Sequence, residues 1–272
     1  MKPAAFAYHR PRSLVEALDV LAELGADGKV LAGGQSLVPL MSMRLSSPAA
    51  LVDVNHVPGL DTVEVDQDTV RVGALARHTR VEHDEAAYAA APLLRQALQL
   101  VAHPTIRNRG TSVGSLVHAD PASELPAVLC LLDGHVTLRT ADGSRDVAAE
   151  HFFRGPMECD LRPGELAVSA TFRRPAAGSR TAFVEVARRH GDYAICGVGA
   201  VVSPDGAARV ALVGVGEGPS LVRLADAEDT GRTRSLVDAA IEPEADIHAS
   251  ADYRRHLAHV LVRRCLDEAR AA

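Results

Sequence analysis

Hydrophobic residues recur at helical spacing near the start of the chain. Ser13 precedes this run and Glu16 follows three residues later, a capping box that predicts the first turn of a helix. Gly25 comes directly after the run and predicts where the helix ends. The predicted apolar face consists of Leu14, Leu18, Leu21 and Leu24.

Two short apolar runs follow this helix and predict two strands. They are Val30-Leu31 and residues 51–54, and the turn Ala32-Gly33-Gly34-Gln35-Ser36 comes directly after the first of them. This alternation of helix and strand predicts a small α/β unit, to which we assign residues 1–57.

Period-two alternation replaces the helical pattern after residue 58. Residues 62–65 and 69–72 alternate on either side of a polar turn, which predicts a β-hairpin. Thr79 and Glu82 form a second possible capping box, and a helix is predicted where Leu94, Leu98 and Val101 share one face.

Residues 103–123 show no clear period and contain two glycines and two prolines. Irregular segments of this length in a compact domain are usually functional or disordered. The apolar residues within this one favour a functional loop.

Strand patterns dominate the last part of the chain, which ends in a predicted helix over about residues 251–271. We expect a second unit at 58–163 and a third at 164–272. The predicted strands are residues 135–139, 166–172, 181–187, 195–202 and 209–215.

Composition narrows the class of protein. Of 272 residues, 47% are hydrophobic and 24% charged, which is typical of a globular chain and excludes a disordered or collagen-like one. The formal net charge is −6, aromatic residues make up 3% and tryptophan is absent, so a nucleic-acid-binding protein is not expected.

The four cysteines, at 130, 159, 196 and 265, are too far apart for a zinc or iron–sulfur site. His256 and His259 are three residues apart on the last helix, but surface histidines explain them better than a metal site. From this spacing we expect no resident metal. Neither a signal peptide nor a membrane span is indicated, so we expect a cytoplasmic protein.

Two loops carry candidate chemistry. In the first, Gly33 and Gly34 follow a strand and can let backbone N–H groups cradle a phosphate, with Ser36 as a further donor, although such a turn is often only structural. The second, residues 105–121, is rich in hydroxyl and small residues and can wrap a diphosphate and a ribityl chain. Arg107 and Arg109 in it are equally well explained as surface charges.

Together the two loops, with Asp120-Pro121 closing the second, resemble the FAD-binding medium subunit of molybdenum hydroxylases. This is the family of the carbon monoxide dehydrogenase medium chain and of the flavin domain of xanthine dehydrogenase. The resemblance extends over essentially the whole chain. It continues through residues 152–156, 161–166, 183–194 and 253–264.

The resemblance implies an α+β fold. Its parts are a PCMH-type FAD-binding domain of two subdomains (1–57 and 58–163) and a C-terminal domain of antiparallel sheet and helices (164–272). It also implies FAD as cofactor, with the diphosphate at the first loop, Glu124 at the ribityl side and Tyr193 over the isoalloxazine ring. The implied cofactor-binding residues are Ala32, Gly33, Gly34, Gln35, Ser36, Leu37, Thr111, Ser112, Gly114, Ser115, Asp120, Glu124, Asp192 and Tyr193.

Val113 and Glu185 are among the positions that depart from the family pattern. Val113 replaces a glycine, and a β-branched residue there is strained if that glycine has a positive φ. Glu185 stands where many members carry a lysine near the flavin, and a negative charge there disfavours an anionic reduced flavin.

By resemblance, the chain passes electrons from an iron–sulfur subunit through FAD to an external acceptor, which is NAD, oxygen or a quinone. The implied partners are a [2Fe–2S] small subunit and a molybdopterin large subunit, in a dimer of heterotrimers. Two alternatives stay open: a stand-alone FAD oxidoreductase, and a degenerate structural subunit without flavin, which Val113 and Glu185 motivate.

Overall fold

Three units, each with its own sheet, make up the computed structural model, which describes residues 2–272. The first unit contains three parallel strands in the order β1-β3-β2. As predicted, the Oγ of Ser13 accepts the N–H of Glu16 (3.1 Å) at the start of the first helix. The elements are β1 (Ala7–His9), α1 (Leu14–Leu24), β2 (Gly28–Leu31), α2 (Leu37–Ser42) and β3 (Ala50–Asp53).

The second unit is an antiparallel sheet covered by short helices. Its strands are β4 (Val63–Val65), β5 (Thr69–Gly73), β6 (His135–Arg139), β7 (Ser144–Ala148) and β10 (Leu166–Arg173), in the order β4-β5-β10-β6-β7, and β8 (Phe153–Gly155) pairs separately with β9 (Glu158–Cys159). Its helices are α3 (His78–Glu82), α4 (Glu85–Ala90), α5 (Pro92–Leu98), α6 (Pro104–Arg107), α7 (Ser112–His118), α8 (Glu124–Leu131) and α9 (Ala149–Phe152).

The segment predicted as irregular is partly helical, because it carries its own start signals. Pro104 occupies the first turn of α6, where its missing N–H costs nothing, and the Oγ1 of Thr111 caps α7 by accepting the N–H of Gly114 (3.2 Å). The predicted cap at Thr79 is wrong: its hydroxyl donates to Asn108 Oδ1 (2.8 Å), and Arg77 precedes the helix instead.

Strand β10 joins the second sheet although it follows residue 163, the predicted end of that unit. It lies between β5 and β6, with Ala170 opposite both Val72 and Val136. The division between the second and third sheets therefore falls after Arg173.

The third unit is a meander of four antiparallel strands with a long helix on one face. Helix α11 packs against the first two of these strands. The elements are β11 (Arg180–Ala187), β12 (Ala194–Val202), β13 (Ala208–Val213), β14 (Ser220–Leu224), α10 (Thr230–Ala240) and α11 (Ala251–Ala271).

The opposite face of this last sheet packs on the second unit. Phe183, Val201 and Val213 share one hydrophobic core with Leu125 and Leu129 of α8. The third unit is thus held firmly against the second, and the expected α+β architecture is confirmed. Within residues 2–272, no helix combines the length and apolar character that crossing a bilayer requires.

Candidate functional site

A cavity of about 700 Å³ lies where the three units meet. Its wall includes residues 29–37 from the first unit, parts of the segment 110–124 from the second and the turn 191–193 from the third. This volume is within the range of small-molecule and cofactor pockets.

The two glycines of the first loop are required for different reasons, one for its backbone conformation and the other for its close packing. Gly34 has φ +71°, which disfavours other residues. A Cβ on Gly33 would lie 2.5 Å from the carbonyl oxygen of Arg109 and 2.8 Å from the Cα of Gly110. Gly33 is therefore required by the contact between the two loops, independently of any ligand.

The first loop also presents free hydrogen-bond donors. The backbone N–H groups of Gln35, Ser36 and Leu37 donate to no protein acceptor in the part of the chain that the structure describes. Consecutive N–H groups without partners form a concave donor set suited to an anion such as a diphosphate.

Helix α7 contributes the second loop to the wall. Val113 lies within this helix, 2% exposed, and is not among the residues with positive φ. A helical backbone suits a β-branched side chain at little cost, so the strain expected at Val113 is absent. Gly114 faces Thr111, whose Oγ1 would lie 2.5 Å from an added Cβ.

Glu124 is a buried carboxyl group in the cavity wall, at the start of α8. Burial raises its pKa to about 8, and the neighbouring Glu185 and Asp120 add to this shift. Burial likewise raises the pKa of Glu185 to about 7, and one of its oxygens is buried without a hydrogen-bond partner. Glu185 does not line the cavity. Because the pKa of Glu124 is above 7, its carboxyl group is expected to carry a proton at neutral pH.

Tyr193 reaches the cavity from the turn between β11 and β12. Gly191 allows the turn with φ +85°, and an added Cβ there would lie 2.6 Å from the His103 ring. The Tyr193 side chain is 59% exposed at the cavity wall. Partial burial and the charge of Asp120 raise its pKa, while the nearby Ser36 acts in the opposite direction. Tyr193 thus brings the third unit close to the first loop.

The structure brings twelve of the fourteen predicted residues to this cavity. Ser112 is fully buried, with its Oγ 3.4 Å from His78 Nδ1, and Asp120 accepts the N–H of Ala122 (2.9 Å) behind the wall. The twelve are Ala32, Gly33, Gly34, Gln35, Ser36, Leu37, Thr111, Gly114, Ser115, Glu124, Asp192 and Tyr193.

Three further titratable side chains line the cavity without having been predicted: Lys29, His78 and His118. Burial, reinforced by the charge of Arg107, lowers the pKa of His78 to about 4, so its ring is neutral. Lys29 carried a signal, since it is one of only two lysines and immediately precedes the apolar run before the glycine loop. A lone histidine gives no comparable signal.

These residues fit an FAD molecule. The free N–H groups and hydroxyls of the two loops suit its diphosphate and ribityl chain. Apolar side chains such as Leu37 and Val101, together with the Tyr193 ring, suit its flat ring system. The protonated Glu124 can donate as well as accept a hydrogen bond.

Comparison with known proteins agrees with this fit. Residues 4–172 match the sequence family described as the FAD binding domain in molybdopterin dehydrogenase. Residues 181–269 match the CO dehydrogenase flavoprotein C-terminal domain.

Individual relatives are similar over nearly their whole length. The chain is 38% identical to the 6-hydroxypseudooxynicotine dehydrogenase complex subunit alpha of Paenarthrobacter nicotinovorans, over 99% of this chain and 96% of that protein. It is 34% identical to the carbon monoxide dehydrogenase medium chain of Hydrogenophaga pseudoflava, over 99% and 98%.

The fold agrees as closely. The solved structure of reconstituted CO dehydrogenase from Oligotropha carboxidovorans superposes with a TM-score of 0.95 at 31% identity, covering 100% of this chain and 99% of that one. The chain therefore belongs to the family of FAD-binding medium subunits of molybdopterin dehydrogenases, as the resemblance predicted.

Proposed function

We propose that this chain receives electrons from an iron–sulfur subunit and passes them through FAD to an external acceptor. The observation that carries the proposal is the cavity, where free N–H donors, a buried carboxyl group and an exposed tyrosine ring from three units converge. The arrangement supports a cofactor held at one end and partly accessible at the other.

The first loop supplies the groups that would bind the FAD diphosphate and orient the cofactor. The N–H groups of Gln35, Ser36 and Leu37 would bind the diphosphate, and the Lys29 ammonium at the same wall would offset its charge. Thr111 and Ser115 offer hydroxyls from the facing helix α7. These contacts fix the position of the cofactor along the cavity.

Glu124 holds a proton at its carboxyl group at neutral pH, because burial opposes its ionisation. A neutral carboxyl donates one hydrogen bond and accepts others, so it can bind ribityl hydroxyls without placing a negative charge beside the flavin. The neighbouring Glu185 raises the pKa of Glu124 further.

When bound, FAD accepts single electrons and releases a pair, which is the chemistry that links a cluster to a two-electron acceptor. Tyr193 lies exposed at the cavity wall, on the third unit, where its ring would limit the approach of oxygen or nicotinamide. The turn that carries it is held by the contact of Gly191 with His103.

The proposed partners are a [2Fe–2S] small subunit and a molybdopterin large subunit, assembled as a dimer of heterotrimers. Similarity over 98% of a protein named as the medium chain of carbon monoxide dehydrogenase supports this assembly. The acceptor is NAD, oxygen or a quinone.

Purification from the native host tests the proposal. We expect the chain to co-purify with two further subunits and with FAD, iron and molybdenum in a fixed ratio. Substrate added to the complex under anaerobic conditions should bleach the visible absorption band of the flavin, and the acceptor should restore that band.

Two results contradict the proposal. A chain purified alone with FAD that oxidises NADH or reduces oxygen is a stand-alone oxidoreductase. A complex that contains iron and molybdenum but releases no FAD on denaturation makes the chain a structural subunit. Val113 lends no support to this alternative, because it is unstrained in its helix.

A further inference from the structure

We propose that Arg77 and Asn55 form a clamp that holds the two cofactor loops at the spacing needed to bind FAD. Neither residue lines the cavity. Both act through the backbone of the loops, and the proposal rests on the cavity being the flavin site.

Asn55 fixes the first loop. Its side-chain Nδ2 donates to the carbonyl oxygen of Ala32 (2.8 Å), directly before the two glycines. The same Nδ2 donates to Asp53 Oδ1 (2.6 Å), and Asp53 accepts a hydrogen bond from the Tyr8 hydroxyl. Asn55 is thereby anchored to the end of β3 and to β1.

Arg77 connects this anchor to the second loop. One guanidinium nitrogen donates to Asn55 Oδ1 (2.7 Å), and another donates to the carbonyl oxygen of Arg109. That same carbonyl oxygen faces Gly33, where an added Cβ would lie 2.5 Å from it. A single side chain thus spans the place where the two loops touch.

The backbone around Arg77 is fixed to the second loop as well. The N–H of His78 donates to Gly110 O (3.0 Å), and the N–H of Ser112 donates to Ala76 O (3.2 Å). The backbone that carries Arg77 is therefore hydrogen-bonded to the second loop, and the guanidinium extends from it towards the first loop. Gly33 packs directly on Arg109 and Gly110 at the same place, so the two hydrogen bonds of Arg77 hold together backbones that are already in close contact.

The chemistry of arginine suits this role. Its planar guanidinium donates several hydrogen bonds in a fixed fork, whereas the ammonium of lysine is a compact charge. Partial burial and the charge of Arg109 lower the pKa of Arg77, and Asp53 acts in the opposite direction. The side chain stays charged, and hydrogen bonds to charged donors are stronger than neutral ones.

The test measures FAD affinity of the full-length, flavin-free chain by fluorescence titration, together with amide hydrogen exchange of the same apoprotein. We expect Arg77→Ala to raise the Kd for FAD about 10- to 100-fold, as for the loss of charged hydrogen bonds. Exchange should rise at Val38 and Leu40, whose N–H groups donate to carbonyl oxygens of the first loop, and at residues 109–112. It should stay unchanged in α11. Asn55→Ala, which changes no charge, should reproduce both effects.

Two variants distinguish the clamp from a simple effect of positive charge. Arg77→Lys keeps the positive charge but cannot span both loops, so it should bind FAD as weakly as Arg77→Ala. In the double variant of Arg77→Ala and Asn55→Ala the loss should not exceed that of either single one, since the two residues form one chain of bonds. Arg71→Ala, on an exposed arginine of β5, is the matched control and should leave the Kd within twofold.

Wild-type affinity in Arg77→Lys overturns the clamp, because charge alone then explains Arg77. Unchanged loop exchange in both Arg77→Ala and Asn55→Ala overturns it as well, whatever their stability. If the wild-type chain binds no FAD at the cavity, the cofactor assignment fails, while the exchange measurement still decides whether Arg77 and Asn55 hold the loops together.

Discussion

Glu82 and Arg107 form an ion pair that is almost sealed from solvent. Arg107 Nε lies 2.8 Å from Glu82 Oε2, and the Arg107 and Glu82 side chains are 10% and 9% exposed. The same guanidinium donates to the carbonyl oxygens of Val101 and Ala102 (3.0 and 3.2 Å). The pair therefore ties α3 to the segment that leads into the second cofactor loop.

Removing Arg107 should be costly for stability. Arg107→Ala leaves the Glu82 carboxylate buried and unpaired, so we expect a loss of about 3–5 kcal/mol in the free energy of unfolding. Urea denaturation measures the loss. In the exposed pair of Arg71 and Glu64, Arg71→Ala should cost less than about 1 kcal/mol. Equal losses in the two variants would show that burial of the first pair has no energetic weight.

Substitution of Glu124 should separate the hydrogen bond from the charge. Glu124→Ala removes both oxygens and should weaken FAD binding by about 1–3 kcal/mol. Glu124→Gln keeps a neutral donor and acceptor and should retain affinity within about threefold at pH 7. Titration of the apoprotein with FAD measures both. Unchanged affinity in Glu124→Ala would remove this residue from the binding site.

The raised pKa of Glu124 also predicts how stability depends on pH. The folded state holds this proton to about pH 8, whereas the unfolded carboxyl loses it near the ordinary value of 4.5. Its contribution to stability therefore falls as pH rises between these two values. Relative to wild type, Glu124→Gln should gain more than about 1 kcal/mol between pH 5 and pH 8. A pH-independent difference would mean that the carboxyl ionises normally.

Gly33→Ala should disturb the contact between the two loops. Its methyl group would lie 2.5 Å from the Arg109 carbonyl oxygen, so the loops must separate. We expect FAD affinity to fall at least about tenfold and stability to fall by about 1–3 kcal/mol. Gly143→Ala is the control, because an added Cβ there meets nothing within 4 Å. Normal FAD stoichiometry and stability in Gly33→Ala would disprove the close approach.

Tyr193→Ala should change access to the flavin without releasing it. The ring covers the cavity but supplies no donor to the diphosphate, so the variant should keep FAD bound. We expect an altered visible spectrum and a changed rate of reoxidation by oxygen, measured by stopped flow after reduction with dithionite. Tyr253→Ala, on α11 and 46% exposed, is the control. If the spectrum and the rate of Tyr193→Ala both match wild type, another group covers the flavin.

Local patterns predicted the parts of the fold that depend on neighbouring residues. The hairpin of β4 and β5 is found where alternation and a polar turn placed it, and Ser13 caps α1. Such features depend on residues two to four positions apart, which sequence patterns record directly. The two-loop motif was equally readable, since each loop is continuous in the chain.

Long-range contacts escaped prediction. The clamp of Asn55 and Arg77 joins residues 22 positions apart through side-chain atoms, and no local period marks it. Thr79 was predicted to cap a helix, but its hydroxyl donates instead to the side chain of Asn108, which lies 29 positions away in the sequence. The placement of β10 in the second sheet depends on pairing with β5 and β6 from far earlier in the chain. The sequence pattern therefore indicated the end of the second unit at residue 163, whereas the second sheet extends to Arg173.

The cavity walls come from distant parts of the chain, beginning at Lys29 and ending at Tyr193. The glycine loop is synthesised well before Tyr193, so the binding site is complete only after the third unit has folded onto the second. Contacts of such large sequence separation form slowly. A ligand that binds only the folded state adds to the stability of that state. FAD bound in this cavity would therefore stabilise the junction of the three units. A yellow colour in this protein would accordingly report that the whole chain, and not merely its flavin-binding half, has folded.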